Sequence, residues 1–251
     1  MLPIVLHHGL FGMGDRQIGA LKVRYFRGID TALQSRGHAV LVSRVHPTAS
    51  VALRASQLKE QINATFDNGQ RVILIAHSMG GLDARHMITR LDMHGRVAAL
   101  LTIATPHRGS AYADWCVRHL GDRLGAFSLC DTLGIDVSGV RELTLDAGQR
   151  FDESTPDHPD VIYGSISPTR PWHLVPPWAL LSHRIISDAE GDNDGMVSVR
   201  SSQRPNHLGN WPADHWHAVN HRFVIELNNP TGDIAPYYLR ALDAMNVREI
   251  V

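Results

Sequence analysis

Cysteine and lysine are nearly absent from this chain of 251 residues. Its two cysteines, Cys116 and Cys130, allow one bridge at most, so a disulfide-stapled scaffold is excluded, and their spacing carries no metal signature. Lysine occurs only at positions 22 and 59, and the remaining basic residues are arginine, a compositional bias with no functional reading. No charge of one sign dominates: the formal net charge is −1, which argues against a nucleic-acid binder or a polybasic membrane anchor. No apolar run approaches the ~18–20 residues that a membrane-spanning helix needs. The first residues, Met1-Leu2-Pro3-Ile4-Val5-Leu6, lack the basic start and the length of a secretory signal. A chain beginning this way is expected in the cytoplasm, or outside the cell if a leader precedes it.

What remains is ordinary globular composition, long enough for one large domain over residues 1–251 with a sizeable core. Pro3–Leu6 is a short buried run that stops at His7-His8-Gly9. Arg24–Arg36 carries Phe26, Ile29 and Leu33 on one helical stripe, ended by Gly37. His38–Val45 reads as a strand, Val51–Thr65 as a helix, Arg71–Ala76 as a buried strand, Gly80–Leu91 as a helix and Val97–Ala104 as another strand. Such alternation predicts an α/β fold: a mostly parallel central sheet, helices on both faces, right-handed crossovers. After Pro106 the rhythm is lost. Ser110–Asp122 is helical in pattern, and about residues 110–150 are expected to form an inserted cap or lid. Pro168–Leu181 is expected to be a second exposed apolar loop, with Val161–Ser167 and Arg184–Ser187 as the last two strands.

The motif that carries chemistry is Ala76-His77-Ser78-Met79-Gly80-Gly81, directly after one strand and opening the next helix. A nucleophilic serine on a sharp strand-to-helix turn needs small neighbours two before and two after, the nucleophile elbow of the α/β-hydrolase fold. Gly80 satisfies this, and Ala76 stands where glycine is usual while keeping the bulk low. The helix N-terminus places partial positive charge beneath a developing oxyanion, with the Met79 N–H as one donor. His8-Gly9-Leu10-Phe11-Gly12 follows the first strand, where a second donor is expected, and the Leu10 N–H is the candidate. Downstream, Asp192 and Asp194 in Gly191-Asp192-Asn193-Asp194-Gly195 compete as the acid. His215, His217 and His221 compete as the base. Spacing does not choose among them. Taken one at a time, these residues are better accounted for as a polar Asx-bonded turn and a wet histidine-rich turn.

Together these segments resemble the bacterial true lipases of the Pseudomonas and Burkholderia type. The resemblance rests on the 8–12 loop, on Tyr25-Phe26-Arg27-Gly28-Ile29 with Ala32-Leu33, and on the elbow. It extends to Ala104-Thr105-Pro106-His107-Arg108-Gly109-Ser110, to Asn193-Asp194-Gly195-Met196-Val197 with Ser201-Ser202, and to His215 with Val219-Asn220. It runs nearly end to end except at about 111–160. It implies Ser78 as nucleophile, Asp194 as acid, His215 as base, and Leu10 and Met79 at the oxyanion hole. The implied activity is carboxylic ester hydrolysis, on small-molecule or lipid esters, without a cofactor and with transient contact at a lipid surface. Phe11, Trp115, Leu120, Leu124, Phe127, Trp172, Leu174 and Trp178 are candidates to line the acyl pocket or the cap, or else to pack in the core. The family also holds a structural calcium with an aspartate two residues after the catalytic histidine. That position is His217 here, a poor ligand for a hard cation, so no such calcium is expected. His217 and His221 could suit a softer metal but lack an evident third ligand. The competing readings are a cytosolic short-chain esterase or thioesterase, and a non-catalytic binding protein of the same fold.

Overall fold

The computed structural model describes residues 1–12, 16–18, 21–122, 125–133, 136–223 and 232–245. Its strands are β1 (Ile4–His7), β2 (Arg16–Ile18), β3 (Leu21–Val23), β4 (Val40–Val42), β5 (Val72–His77), β6 (Val97–Ile103), β7 (Ile162–Pro168) and β8 (His207–Trp211). Its α-helices are α1 (Ile29–Ser35), α2 (Val51–Thr65), α3 (Gly80–Arg90), α4 (Ala111–Cys116), α5 (Ala126–Thr132), α6 (Ser138–Arg141), α7 (Leu145–Ser154), α8 (Leu180–Glu190), α9 (Val199–Ser202) and α10 (Ala235–Ala244). Six strands form one parallel sheet in the order β4-β1-β5-β6-β7-β8, and β2 and β3 make a separate antiparallel hairpin.

The interior strands β1, β5 and β6 are apolar over most of their length because both sheet faces are covered. On β5, Ile73 and Ile75 point to one face, packing with Phe26, Ile29 and Leu33 beside α1 and with Tyr238 and Ala241 of α10. Val72, Leu74 and Ala76 point to the other, against Ala55, Leu58 and Ile62 of α2 and Ala84, Met87 and Ile88 of α3. Each fully buried side chain of this kind contributes about 1.5–3 kcal/mol relative to exposure. Ser50 caps α2 by accepting from the Leu53 N–H at 3.3 Å.

Two expectations fail. Arg184–Ser187 is not a strand but the middle of α8, whose buried Ser182, His183 and Ile186 follow helical spacing; Ile185-Ile186 is too short a β-branched run to reveal its period. The last strand is instead β8, an edge strand pairing only with β7 and buried only at Trp211, so its sequence lacks the apolar signature of the interior strands. Helix α1 starts at Ile29, not Arg24, because Gly28 takes a left-handed φ of 76° immediately before it. The expected helix at 110–122 is α4 continued by a π-helical turn over Val117–Asp122. Between β6 and β7 the helices extend from Ala111 to Ser154. The 168–181 stretch begins in β7, passes through two 3₁₀ turns and enters α8, with Trp172, Trp178 and Leu181 exposed. No helix among the described residues is long and apolar enough to cross a membrane. Cys116 and Cys130 are both free thiols.

Candidate active site

Ser78 occupies the turn between β5 and α3 at φ 56°, a left-handed conformation that costs an ordinary residue about 1–2 kcal/mol. The surroundings hold it there. Its N–H donates to the Ile103 carbonyl at 2.9 Å, and its carbonyl accepts from the Thr105 hydroxyl at 2.9 Å. The small neighbours have a steric cause. A Cβ on Gly80 would come within 2.9 Å of the β1 backbone, and one on Gly9 within 2.6 Å of the Ser78 Cβ. Ala76 faces the core of the α2 and α3 side, fully buried, so its methyl is accommodated.

His215 follows β8, and its Nε2 lies 3.1 Å from the Ser78 Oγ. Its Nδ1 lies 2.7 Å from Oδ2 of Asp194, which is fully buried in the loop between α8 and α9. The other Asp194 oxygen accepts the Met196 and Val197 N–H groups at 2.9 and 2.7 Å. The His215 N–H donates to the Asp194 carbonyl at 2.9 Å, joining the two loops directly. With its Nδ1–H committed to a carboxylate, the imidazole presents Nε2 as the acceptor of the serine proton. Asp192 is exposed, with its backbone carbonyl bonded to the Val199 N–H at 2.8 Å. His217 is buried in its own 3₁₀ turn, and His221 Nε2 bonds the Arg24 and Tyr25 carbonyls. Of the competing acids and bases, the fold brings only Asp194 and His215 to Ser78.

The Leu10 and Met79 N–H groups are not engaged in any hydrogen bond among the described residues; Met79 follows Ser78 directly, and Leu10 follows Gly9, which packs against the Ser78 side chain. The loop carrying Leu10 is anchored in ways the sequence reading missed. Tyr25 accepts the Gly9 N–H at 3.2 Å through its hydroxyl, which also lies 2.9 Å from His77 Nδ1. Beneath the loop lies a wholly buried group. Asp83 accepts from His7 Nε2 and Arg54 Nε, each at 2.8 Å, while Arg54 also donates to the His8 and His46 carbonyls at 2.7 and 2.6 Å. Removing either charge would strand the other in the core, a loss of about 3–5 kcal/mol. A signal for it was present: Arg54 lies on the apolar stripe of α2, between Val51 and Ala55.

The candidate substrate residues scatter. Phe11 is exposed beside Leu10, and Trp178 is exposed with its ring against Trp216 and Phe223, next to His215. Trp172 is exposed on the preceding 3₁₀ turn. Trp115 stacks on Tyr112 and His119 within its own helical segment, and Phe127 is buried beneath the Arg141 guanidinium. Leu120 is exposed and Leu174 half-buried, and Leu124 lies outside the described residues.

Four buried histidines are held neutral. Desolvation is the leading cause in each case: it lowers His8 to about 3, lowers His7, and takes His77 and His107 well below their ordinary value. The bonding agrees for His8, whose Nε2 accepts from the Val45 N–H while Nδ1 faces the Gly9 carbonyl. Once unfolded, these residues titrate near 6.5. The folded state therefore keeps its full advantage above pH 6.5 and loses it below, by up to about 1.4 kcal/mol per pH unit for each histidine. Urea unfolding at pH 7, 6 and 5 should show a steep fall in stability, and a flat profile would contradict neutral burial.

Comparison with known proteins points one way. Residues 49–150 match the family model described as a PGAP1-like alpha/beta domain. Triacylglycerol lipase 2 of Saccharomyces cerevisiae is 32% identical over 219 residues, covering 82% of this chain and 65% of the yeast protein. Triacylglycerol lipase of Burkholderia plantarii is 35% identical over 120 residues, 45% of this chain and 32% of that protein. The chain thus spans just under two thirds of the yeast relative and about a third of the bacterial one. The crystal structure of Staphylococcus hyicus lipase superposes with a TM-score of 0.78 at 17% identity, covering 99% of this chain and 96% of that one. With its parallel sheet, its helices on both faces and the serine turn after β5, the chain has the α/β-hydrolase fold.

Proposed function

We propose that this protein hydrolyses carboxylic esters, with acylglycerols as the substrate class, in the manner of the Pseudomonas- and Burkholderia-type lipases. The observation that carries this reading is the hydrogen-bonded series Ser78–His215–Asp194 beside two unengaged backbone N–H groups. In the first half-reaction His215 Nε2 takes the Ser78 proton as Oγ bonds to the ester carbonyl carbon. The carbonyl oxygen becomes an oxyanion received by the Leu10 and Met79 N–H groups. The tetrahedral adduct collapses, the C–O bond to the alcohol breaks, and the imidazolium returns its proton to the departing alkoxide. Water then attacks the acyl-Ser78 ester by the same route and releases the acid. Asp194 holds the imidazole tautomer and stabilises its positive charge.

The helices over residues 110–150 act as the cap or lid, and Phe11, Trp172 and Trp178 meet the acyl chain or a lipid surface; their exposure supports this. Trp115 and Phe127 belong to the cap's own packing in this reading. A fluorophosphonate probe should label the protein. With p-nitrophenyl esters, kcat/KM should rise from acetate toward octanoate, and emulsified acylglycerol should be turned over. A profile that peaks at acetate or butyrate with no turnover of emulsions would reassign the protein to short-chain esters or thioesters. No labelling at all would sink the enzymatic reading.

A further inference from the structure

One arginine grips both loops of the acid–base pair. Arg170 follows β7 and is almost completely buried. Its backbone N–H donates to the Asn193 carbonyl at 3.1 Å, and Thr169 adds a hydroxyl bond to the same carbonyl at 3.3 Å. Its own carbonyl accepts from His183 Nε2 at 2.9 Å, tying it to α8. The guanidinium reaches the other way. Nε donates to the Pro212 carbonyl at 3.2 Å, Nη1 to the Leu174 carbonyl at 3.4 Å, and Nη1 lies 3.8 Å from the carboxylate of buried Asp214. Asp214 in turn accepts the Trp216 and His217 N–H groups, each at 3.0 Å, and so shapes the turn that presents His215. Asn193 immediately precedes the acid and Asp214 immediately precedes the base. Arg170 therefore fixes the residue next to each member of the pair.

The resemblance to bacterial true lipases would place a calcium ion in this region, and the donor chemistry does not fit one. The expected aspartate is His217, a nitrogen donor unsuited to a hard cation. Asp214, three residues earlier, already faces a fixed positive charge. No group of three or more His, Cys, Asp or Glu among the described residues is placed to hold a metal. Burial pushes the Asp214 carboxyl above its ordinary range, with the His217 N–H and the Arg170 charge opposing that shift.

We infer that Arg170, rather than a divalent cation, is the positioning residue that joins the acid and histidine loops: its main-chain N–H holds Asn193 beside the acid while its guanidinium holds the 212–214 turn that presents His215, and together they set the His215–Asp194 geometry. A planar fork suits this because it donates to several carbonyls at once while keeping its charge against a carboxylate. The kinetic arm of the test rests on the ester-hydrolysis reading; the thermal arm does not.

The full-length protein is dialysed against EDTA and then supplied with calcium chloride alone. Its Tm and its kcat on p-nitrophenyl butyrate should stay the same throughout. Arg170→Lys keeps the charge opposite Asp214 but loses the fork. It should fold with a Tm within a few degrees of wild type, and its kcat should fall about tenfold with KM within about twofold. Arg170→Met should lower kcat about 100-fold and also lower Tm, because Asp214 loses its partner. Adding Asp214→Asn to Arg170→Met should recover Tm without recovering kcat, a separation that a merely structural role would not produce. Wild-type kcat in Arg170→Lys, kcat that returns with Tm in the double variant, or a Tm lowered by EDTA and restored by calcium would each overturn the inference. Should Arg170→Met fail to fold, the lysine variant and the chelation series decide the matter. A wild type that neither turns over ester nor takes the fluorophosphonate label would refute the ester reading, leaving the Tm comparisons to judge the cross-link.

Discussion

Ser78→Ala is expected to lower kcat for ester hydrolysis by about 10⁶-fold, the scale seen when the nucleophile of a serine triad is removed. The expectation follows from the geometry at the turn. Ser78 Oγ is the only atom of that side chain lost, and the bonds that hold its left-handed backbone, to Ile103 and Thr105, are made by the main chain. The variant should therefore fold with an unchanged Tm and bind ester with little change in KM. A residual rate above that of water should survive, because the Leu10 and Met79 N–H groups remain in place to receive an oxyanion. The clean measurement is the mass shift after fluorophosphonate treatment. Wild type should gain one adduct and Ser78→Ala none. An adduct that persists in the variant would place the nucleophile on another serine.

Asp194→Asn is expected to reduce kcat by about 10⁴-fold, while Asp192→Asn should stay within about twofold of wild type. An asparagine at 194 can still accept the Met196 and Val197 N–H groups through its remaining oxygen, so the loop should keep its shape. What changes is the group facing His215 Nδ1. An amide N–H there favours the tautomer with the proton on Nε2, which then cannot accept from Ser78. Nor does a buried anion remain to stabilise the imidazolium. Asp192 is exposed and contributes only its backbone carbonyl, which the substitution leaves intact. Steady-state kinetics on the two variants side by side are decisive, and a severe loss at 192 with a mild one at 194 would reverse the assignment.

How legible all this was depended on how local the cause was. Helix α2 was readable at both ends because Ser50 caps it and its apolar stripe has the helical period. Strand β5 was readable because, covered on both faces, it is apolar from Val72 to Ala76, and the serine turn because crowding at Gly9 and Gly80 leaves no room for a Cβ. Arg184–Ser187 was misread because four residues do not display a period, and β8 was missed because an edge strand need not be apolar. The acid could not be chosen by spacing, since Asp192 and Asp194 sit in the same polar turn; resemblance to a family pointed to Asp194. Arg54 gave a sign of its buried role by interrupting an apolar stripe. Arg170, in a proline-rich loop, gave none.

The amino-acid sequence by itself determined the alternation of strands and helices, the position of Ser78 and the small residues around it. These are matters of hydrophobic period and of steric room within a few consecutive residues. Only the tertiary structure decided that Asp194 and His215 meet Ser78, that Tyr25 and the Arg54–Asp83 pair anchor the loop carrying Leu10, and that Arg170 contacts both the acid and the histidine loop. Those contacts join residues up to 137 apart in the chain, as His215 and Ser78 are. Directional bonds across such separations depend on where the packed sheet leaves its loop ends, which no short stretch of sequence encodes.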